Sequence, residues 1–270
     1  MKPSPLFLII SIGFPFAGTG MPATRDSADS CSGSRVIALQ ADATRRSVHP
    51  PALPAVAPQV IAHGARDEKL IALTFDACST REPSHYDDRV TEVLVKNRTP
   101  ATIFLGGKWI EEEQEHAKFL ASSPQFELAN HTFLHPHLTE ISDDRIREEL
   151  QRTQEALYAA TGKQATLFRP PYGEYNDRVV KIAASLGLTT VEYDIASGDP
   201  DRHATKEKLI EYVTEETKNG SIIVMHINRR GWHTAEALPD IIRILRGRGY
   251  TFVTVGELLR GMHHNGGYRQ

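Results

Sequence analysis

The sequence predicts an α/β fold, a distorted (β/α)7-type barrel contained in a single domain. Seven apolar segments with high β propensity follow one another between residues 69 and 255, and helical patterns separate most of them. Strands that are joined through helices pair in parallel by right-handed crossovers. A count near seven favours a closed or nearly closed barrel, and a doubly wound open sheet is the alternative.

The predicted strands are short and are bounded by turn residues or by helices. They are Lys69–Phe75, Ala101–Leu105, Phe126–Leu128, Thr166–Phe168, Thr189–Tyr193, Ile222–Met225 and Tyr250–Val255. The helical patterns are Ser142–Ala160, Asn176–Leu186, Thr205–Lys218 and Thr234–Arg248. The first helix is the clearest, because Ser142 is a typical N-cap residue and Gly162 follows the last turn.

The residues before the first strand predict an exported protein. Lys2 precedes the mostly apolar run Leu6–Phe16, which is too short and interrupted to span a bilayer. We therefore predict a secretory signal over residues 1–23 and a disordered, Pro/Ala-rich linker over residues 24–65. The folded domain is expected over residues 66–262, with a tail over 263–270. This organisation indicates a secreted or periplasmic protein with no membrane span after signal cleavage.

Charge and cysteine content exclude some functions. The formal net charge is only -3, and acidic and basic residues are interspersed, so no polybasic groove for nucleic acid is expected. Cys31 and Cys78 are the only cysteines. A disulfide is permitted in an exported protein, but two cysteines fix nothing by their spacing, and free thiols remain the alternative.

Polar residues follow several of the predicted strands, at the ends that parallel strands bring to one face. Asp76 and His226 each end an apolar segment, and Arg169 begins an Arg-Pro-Pro-Tyr-Gly run. His131 and His135 are four residues apart, a spacing that can chelate one metal ion. The Pro that follows His135 disfavours a helix there and indicates a loop.

These segments, in this order, resemble the polysaccharide deacetylases of carbohydrate esterase family 4, the NodB homology domain. The resemblance extends over about Asp67–Leu259. It depends on five motifs, which are Thr74–Asp76, Asn130–Pro136, Arg169–Gly173, Asp194–Asp199 and Ile223–His226. A NodB-like barrel is the fold that it implies.

The resemblance implies roles for the base and for the metal ligands. Asp76 matches the general base that activates water, and Arg169 matches the arginine that orients this base and lowers its pKa. His131 and His135 match the histidine pair of the metal site. Members of the family use zinc, cobalt or nickel-type ions, of which zinc is expected here.

The remaining matches concern the acid and the oxyanion. His226 matches the general acid that protonates the leaving amine, and Tyr172 stands where a backbone N–H helps to hold the oxyanion. An Asp that tunes the acid is expected between residues 194 and 199. Asp199 is the candidate, with Asp194 as the alternative because the local spacing departs from the family pattern.

One position departs from the family. Ala77 stands where the family usually has a second Asp as the third metal ligand, and a methyl group cannot bind a metal. Catalytic zinc normally has three protein ligands. We hypothesise that Asp87 supplies the carboxylate, with Cys78 and His85 as other candidates; the absence of a third protein ligand also remains open. The resemblance is nearest to a subset with Phe-Asp-Ala-Cys in the first motif.

Aromatic residues near the strand ends predict contact with a sugar. Trp232 is expected to contact substrate, as are Pro171 and Tyr172, and Trp109 and Tyr175 are further candidates. The alternative is that these rings cover apolar loop residues.

The resemblance implies a metal-dependent deacetylase that hydrolyses N-acetyl groups on a glycan. Peptidoglycan, chitin-like chains and other N-acetylhexosamine polymers are the expected substrates. Three alternatives stay open: a catalytically silent carbohydrate-binding relative, an O-acetyl esterase on polysaccharide, and metal-free amide hydrolysis of small ureides. Asp76, Arg169 and His226 together favour an enzyme, because a binding protein has little need of an acid and a base.

Overall fold

A sheet of parallel strands forms the centre of the computed structural model, which describes residues 49–80 and 82–265. Its nine strands are β1 (Val60–Ile61), β2 (Leu70–Ala77), β3 (Ala101–Leu105), β4 (Phe126–Asn130), β5 (Leu167–Phe168), β6 (Thr189–Val191), β7 (Ile195–Ala196), β8 (Ile222–His226) and β9 (Thr251–Phe252). They pair in the order β1-β6-β5-β4-β3-β2-β8-β7, and β9 pairs with β2. No described pairing joins β1 to β7, so the barrel is a curled half-barrel that remains open.

Eight α-helices accompany the described strands. They are α1 (Asp88–Lys96), α2 (Gly107–Glu112), α3 (Gln114–Ser122), α4 (Asp143–Thr161), α5 (Asp177–Ser185), α6 (Lys206–Glu216), α7 (Thr234–Gly247) and α8 (Val255–Asn265). The predicted caps of α4 are confirmed, since the Ser142 hydroxyl accepts a hydrogen bond from Arg145 N and Gly162 ends the helix with φ 69°. Asn176 and Thr205 cap α5 and α6 in the same way.

The middle of the sheet is the most buried part of the fold. All residues of β2 from Ile71 to Ala77 are buried, and β2 is bonded to β3 on one side and to β8 on the other. Burying one large apolar side chain contributes about 1.5–3 kcal/mol. The register places Asp76 directly beside His226. The two strands that carry the predicted base and acid are therefore neighbours in the best-packed region.

The predicted linker is wrong over residues 49–65, because these residues pack on the domain. Val56 N donates to Ala184 O at 3.0 Å, and β1 pairs with β6. A side chain at Gly187, whose φ is 76°, would collide with Leu53. A Pro-rich composition predicts disorder from the local sequence, but it does not reveal docking of an extended segment on a distant strand. Strands β1 and β7, of two residues each, were not predicted.

Several predictions lie outside the described residues. The signal over residues 1–23, the linker up to residue 48 and Cys31 belong to this group, as do residues 266–270. Helix α8 continues to Asn265 and so includes the first residues of the predicted tail. Over the described ranges, none of the helices combines the length and the apolar character that a bilayer span requires.

Candidate active site

A cavity of about 350 Å³ opens at the carboxyl ends of the strands. Its lining includes the polar residues that the sequence placed at five separate positions, namely Asp76, His131, His135, Arg169 and His226. They follow or end β2, β4, β5 and β8. The convergence results from the parallel sheet, which brings the corresponding ends of these strands together.

Asp76 and Arg169 form a buried ion pair. Arg169 Nη1 donates to Asp76 Oδ1 at 2.8 Å and to the Thr74 hydroxyl at 2.9 Å. The guanidinium also lies over the ring of Phe104, 4.0 Å from its centroid. Burial alone would raise the pKa of Asp76, but the positive charge and hydrogen bond of Arg169 hold it below its usual value. Asp76 is therefore ionised and fixed in orientation.

His226 and Asp199 form a second ion pair. His226 Nδ1 lies 2.8 Å from Asp199 Oδ1, and Asp199 Oδ2 accepts hydrogen bonds from His226 N and from the Thr234 hydroxyl. Burial lowers the pKa of His226, but the charge and hydrogen bond of Asp199 outweigh it and raise this pKa above its usual value. Asp194 is bonded to Arg66 instead. The structure thus brings Asp199, and not Asp194, to the histidine.

His131 and His135 lie on a tight loop between β4 and α4. His131 Nδ1 lies 2.9 Å from the carbonyl oxygen of Arg169, so Nδ1 is the donor and Nε2 is left with its lone pair. Thr132 and His135 have positive φ values of 62° and 58°, which turn the loop back on itself. Burial, with the neighbouring His131, lowers the pKa of His135 to about 3. Burial also lowers the pKa of His131, so both rings are neutral and able to act as ligands.

The third side chain at this pair is Cys78. Ligand atoms of Cys78, His131 and His135 all lie within 4.8 Å of one another. Burial and the nearby charge of Asp76 raise the pKa of the Cys78 thiol to about 12. The carbonyl of the same residue accepts hydrogen bonds from Asn228 and Ser84, which fix its position.

Asp87 does not join this cluster, which corrects our hypothesis for the third ligand. Its carboxylate caps α1 and is held by Arg89, with contacts of 2.8 and 2.7 Å to the two oxygens. Asp87 lines a separate cavity. His85 is directed to Glu113, at 3.3 Å, and is likewise outside the cluster. An Asp directly before a helix, with an Arg two residues later, is a cap pattern that could have been recognised.

Glu149 was missed by the sequence analysis. It is buried on α4, and its Oε2 accepts hydrogen bonds from the backbone N–H groups of Phe133 and Leu134, at 2.8 and 2.7 Å. Arg145 binds the other oxygen. Both N–H groups lie between the two histidines, so Glu149 holds the loop that carries them. In the sequence, Glu149 could have been recognised as a charged residue that lies beside Leu150 on the apolar face of the helix.

Tyr172 lines the cavity beside the histidine loop. Half of the side chain is exposed, and the ring meets His135 edge-on at 4.5 Å between centroids and stacks on His137 at 4.2 Å. The backbone of Tyr172 is left-handed, with φ 62°, within the short 3-10 turn Pro171–Gly173. Tyr172 is therefore placed to meet a ligand with both its ring and its backbone.

The other predicted substrate contacts have different positions. Pro171 is buried, and Pro170 lines the cavity in its place. Trp109 is fully buried in the core, so its prediction as a sugar-binding ring is wrong. Trp232 is half exposed and borders the neighbouring cavity with Asp87, while its backbone N–H donates to Asp199 O at 2.6 Å. Periodicity could not distinguish these cases, because Trp232 lies in a loop and α2, which contains Trp109, has only six residues.

The chemistry of the Cys78–His131–His135 cluster fits a metal ion. Two imidazoles and one thiol form a ligand set that suits zinc and related ions. His135 Nδ1 is buried and has no hydrogen-bond partner among the described residues. Such a group is costly unless it is satisfied by a further partner. A metal ion bound by these three side chains would leave positions open for water or substrate.

The comparisons with known proteins identify one family. The family model for polysaccharide deacetylase matches residues 63–191. Peptidoglycan-N-acetylmuramic acid deacetylase PdaA from Bacillus subtilis is 34% identical over 199 residues, which are 73% of this chain and 73% of that protein. A peptidoglycan-N-acetylglucosamine deacetylase from Bacillus cereus is 32% identical over 201 residues, 73% of this chain and 91% of that protein.

A solved structure with the same fold is described as a pseudoenzyme. This carbohydrate esterase family 4 protein from Bacillus anthracis matches with a TM-score of 0.68 and 32% identity, over 75% of this chain and 69% of that one. Similarity of this extent establishes descent and fold, and it leaves open whether the site is active. The chain belongs to the polysaccharide deacetylases of carbohydrate esterase family 4.

Proposed function

We propose that this chain is an exported, metal-dependent deacetylase that hydrolyses N-acetyl groups on a glycan. The observation that carries the proposal is the pairing of Asp76 with Arg169 and of His226 with Asp199 around one cavity. An ionised carboxylate and a protonated imidazole in one site are the two groups that amide hydrolysis requires. The curated relatives named above support peptidoglycan as the acetylated polymer, and they support a site of action outside the cytoplasmic membrane.

Cys78, His131 and His135 would hold the metal ion, with zinc expected and cobalt or nickel as alternatives. When bound, such an ion polarises a carbonyl group and lowers the pKa of water from about 15.7 to about 7. The neutral histidines contribute lone pairs without a cost of deprotonation, because burial keeps their pKa values low. Cys78 would bind as the thiolate and release its proton.

Asp76 would take a proton from the attacking water at its free oxygen, Oδ2. The other oxygen is held by Arg169, so the carboxylate does not rotate during the transfer. A general base of this kind contributes typically 10²–10⁴-fold to the rate. Oδ2 also lies 3.7 Å from His131 Nε2, which places the base next to the ligand cluster.

His226 would donate the second proton to the sugar nitrogen as the C–N bond breaks. Its Nδ1 is bonded to Asp199, so Nε2 is the atom that delivers the proton. Asp199 keeps the ring charged and oriented, as described above. The backbone N–H of Tyr172 would donate to the oxyanion of the tetrahedral intermediate, and the ring would contact the sugar.

The second candidate function is that of a carbohydrate-binding protein without turnover. Ala77, in place of the family's Asp, favours it, and so does the pseudoenzyme among the similar structures. The retained ion pairs oppose it, since sugar binding alone has no need of a charged base and a charged acid. O-acetyl ester hydrolysis uses the same groups and is included as an arm of the test.

The test is acetate release from a panel of peptidoglycan fragments, chitin oligosaccharides and O-acetylated xylan. Protein stripped with a chelator is assayed with and without restored zinc or cobalt, beside Asp76→Asn. We expect release from an N-acetylated glycan that requires both the metal and Asp76. Release only from the xylan would indicate an esterase, and release without metal would indicate the ureide-type chemistry. No release from any member of the panel would identify the binding protein.

A further inference from the structure

Positively charged side chains outnumber negatively charged ones in the catalytic cavity. Asp76 is neutralised by Arg169, and Asp199 is neutralised by His226. Arg230 lines the same cavity and is half-buried, yet it forms no ion pair within the described part of the chain. The cavity therefore keeps one positive charge on a protein side chain that the proposed mechanism does not use.

The position of Arg230 is fixed by the loop that follows β8. Arg230 Nη2 donates to the Thr80 hydroxyl at 2.7 Å, and the nearby Asn228 holds the carbonyl of Cys78 at 2.8 Å. Nε and Nη1 of Arg230 bond to no described residue. Arg230 lines the cavity together with Cys78 and His135, so its side chain lies on the same cavity wall as the ligand cluster. The Arg230 guanidinium is therefore held by Thr80, while Nε and Nη1 remain able to donate hydrogen bonds.

We propose that Arg230 binds a carboxylate on the glycan, and that the chain prefers acidic N-acetylated sugars to neutral ones. A guanidinium presents paired donors that match a carboxylate, and Arg230 has two donor atoms, Nε and Nη1, that no described residue occupies. A site built to bond a substrate group discriminates against the analogue that lacks it. The inference rests on the proposed function for its glycan substrate and narrows that substrate to a carboxylate-bearing aminosugar.

The named relatives do not decide between the two kinds of sugar. One is named for N-acetylmuramic acid, which carries a carboxylate, and the other for N-acetylglucosamine, which carries none. Their identities to this chain are 34% and 32%. The preference of this chain for acidic or neutral sugars therefore depends on its own cavity residues. Arg230 is the charged residue among them that has no ion-pair partner within the described part of the chain.

The experiment uses three peptide-free glycans of equal length. One alternates N-acetylglucosamine with N-acetylmuramic acid, the second is the same glycan with its carboxylates amidated, and the third is a chitin oligosaccharide. Calorimetric binding and kcat/KM are measured for the full chain and for Arg230→Gln and Arg230→Lys. Arg243→Gln is the matched control, because Arg243 is an exposed arginine of α7 that pairs with Asp240.

We expect the wild-type protein to prefer the free carboxylate over its amide by roughly ten-fold, the size of one charge-assisted hydrogen bond. Arg230→Gln should remove this preference. Arg230→Lys should keep part of it, since it retains the charge without the planar fork. Arg243→Gln should keep all of it.

The outcomes separate this inference from the proposed function. Binding that prefers the carboxylate through Arg230, without any hydrolysis, would support the inference while the proposed function fails. Hydrolysis without any preference for the carboxylate would overturn the inference and leave the proposed function standing. A preference that survives in Arg230→Gln would also overturn it, and so would equal affinity of the wild-type protein for all three glycans.

Discussion

The candidate site has a proton-transfer half and a ligand half. The two differ in whether their polar groups have partners among the described residues. In the proton-transfer half, Asp76 is paired with Arg169, and His226 is paired with Asp199. In the ligand half, Cys78, His131 and His135 converge as neutral side chains, and His135 Nδ1 has no hydrogen-bond partner among the described residues. One half is satisfied by the protein alone, whereas the other has free lone pairs.

This difference indicates that the two halves have different roles. The proton-transfer half holds its charges in fixed positions before substrate arrives, which is how a site stabilises a transition state without reorganisation. The ligand half consists of neutral groups whose pKa values are set by burial. Changes in the first half should therefore affect the rate, and changes in the second should affect metal affinity. The predictions below test that separation.

The largest effect is expected from Asp76→Asn. The amide keeps the shape of the side chain but cannot take a proton, so kcat should fall by about 10²–10⁴-fold. Metal content, measured by atomic absorption on the purified protein, should remain. Asp177→Asn, which alters an exposed carboxylate of α5, is the control for the loss of one negative charge. Activity above a tenth of the wild-type value in Asp76→Asn would show that another group is the base.

The next effect distinguishes Cys78 from Asp87 as the third ligand. Loss of a residue that only supports a ligand weakens metal binding by 10–100-fold, so Cys78→Ala should weaken zinc binding by roughly 100-fold or more. Asp87→Asn should leave the affinity unchanged, because both oxygens of Asp87 are directed to Arg89. Competition with a chromophoric chelator measures both. The reverse pattern would restore Asp87 as the ligand and refute the cluster.

Much of the scaffold could be predicted from local patterns. Ser142 and Gly162 mark the ends of α4 because capping is a short-range effect, and the apolar segments mark the long central strands. The convergence of Asp76 with His226 follows from the geometry of parallel strands, since each ends a strand and the two strands are neighbours. Local sequence and one topological rule are sufficient for the caps, the central strands and the shared face, whereas the pairing of β2 with β8 is known only from the structure.

The choice of the third ligand could not be predicted in the same way. Asp87 is eleven residues after Asp76 and Cys78 only two, and the sequence does not say which side chain the loop after β2 turns into the cavity. That direction depends on contacts with Asn228 and Ser84, which fix Cys78 from two directions. Long-range contacts of this kind also place residues 49–65 on the domain. Both errors have the same cause, which is tertiary packing of a segment without periodicity.

A smaller effect is expected from Glu149→Gln. This residue touches neither metal nor substrate, and it acts by bonding the loop between His131 and His135. Weakening these bonds should lower zinc affinity by about ten-fold, as for other outer partners of ligands. Glu148→Gln is a matched control, because Glu148 pairs with the same Arg145 but is far more exposed. Equal affinity in both variants, measured well below their melting temperatures, would assign Glu149 a purely structural role.

The mildest test concerns the dependence of activity on pH. His226 acts as an acid in its charged form, so activity is present below its pKa and is lost as the pH rises through it. Burial lowers this pKa and Asp199 raises it by more, which puts the alkaline limb above the usual histidine value of 6.5. In Asp199→Asn the effect of burial remains while the opposing charge is gone, so the limb should move to lower pH. The midpoint of kcat/KM against pH measures this shift, with Asp194→Asn as the control. An alkaline limb at the same pH in Asp199→Asn would mean that the group titrating there is not His226, and the acid would have to be sought elsewhere in the cavity.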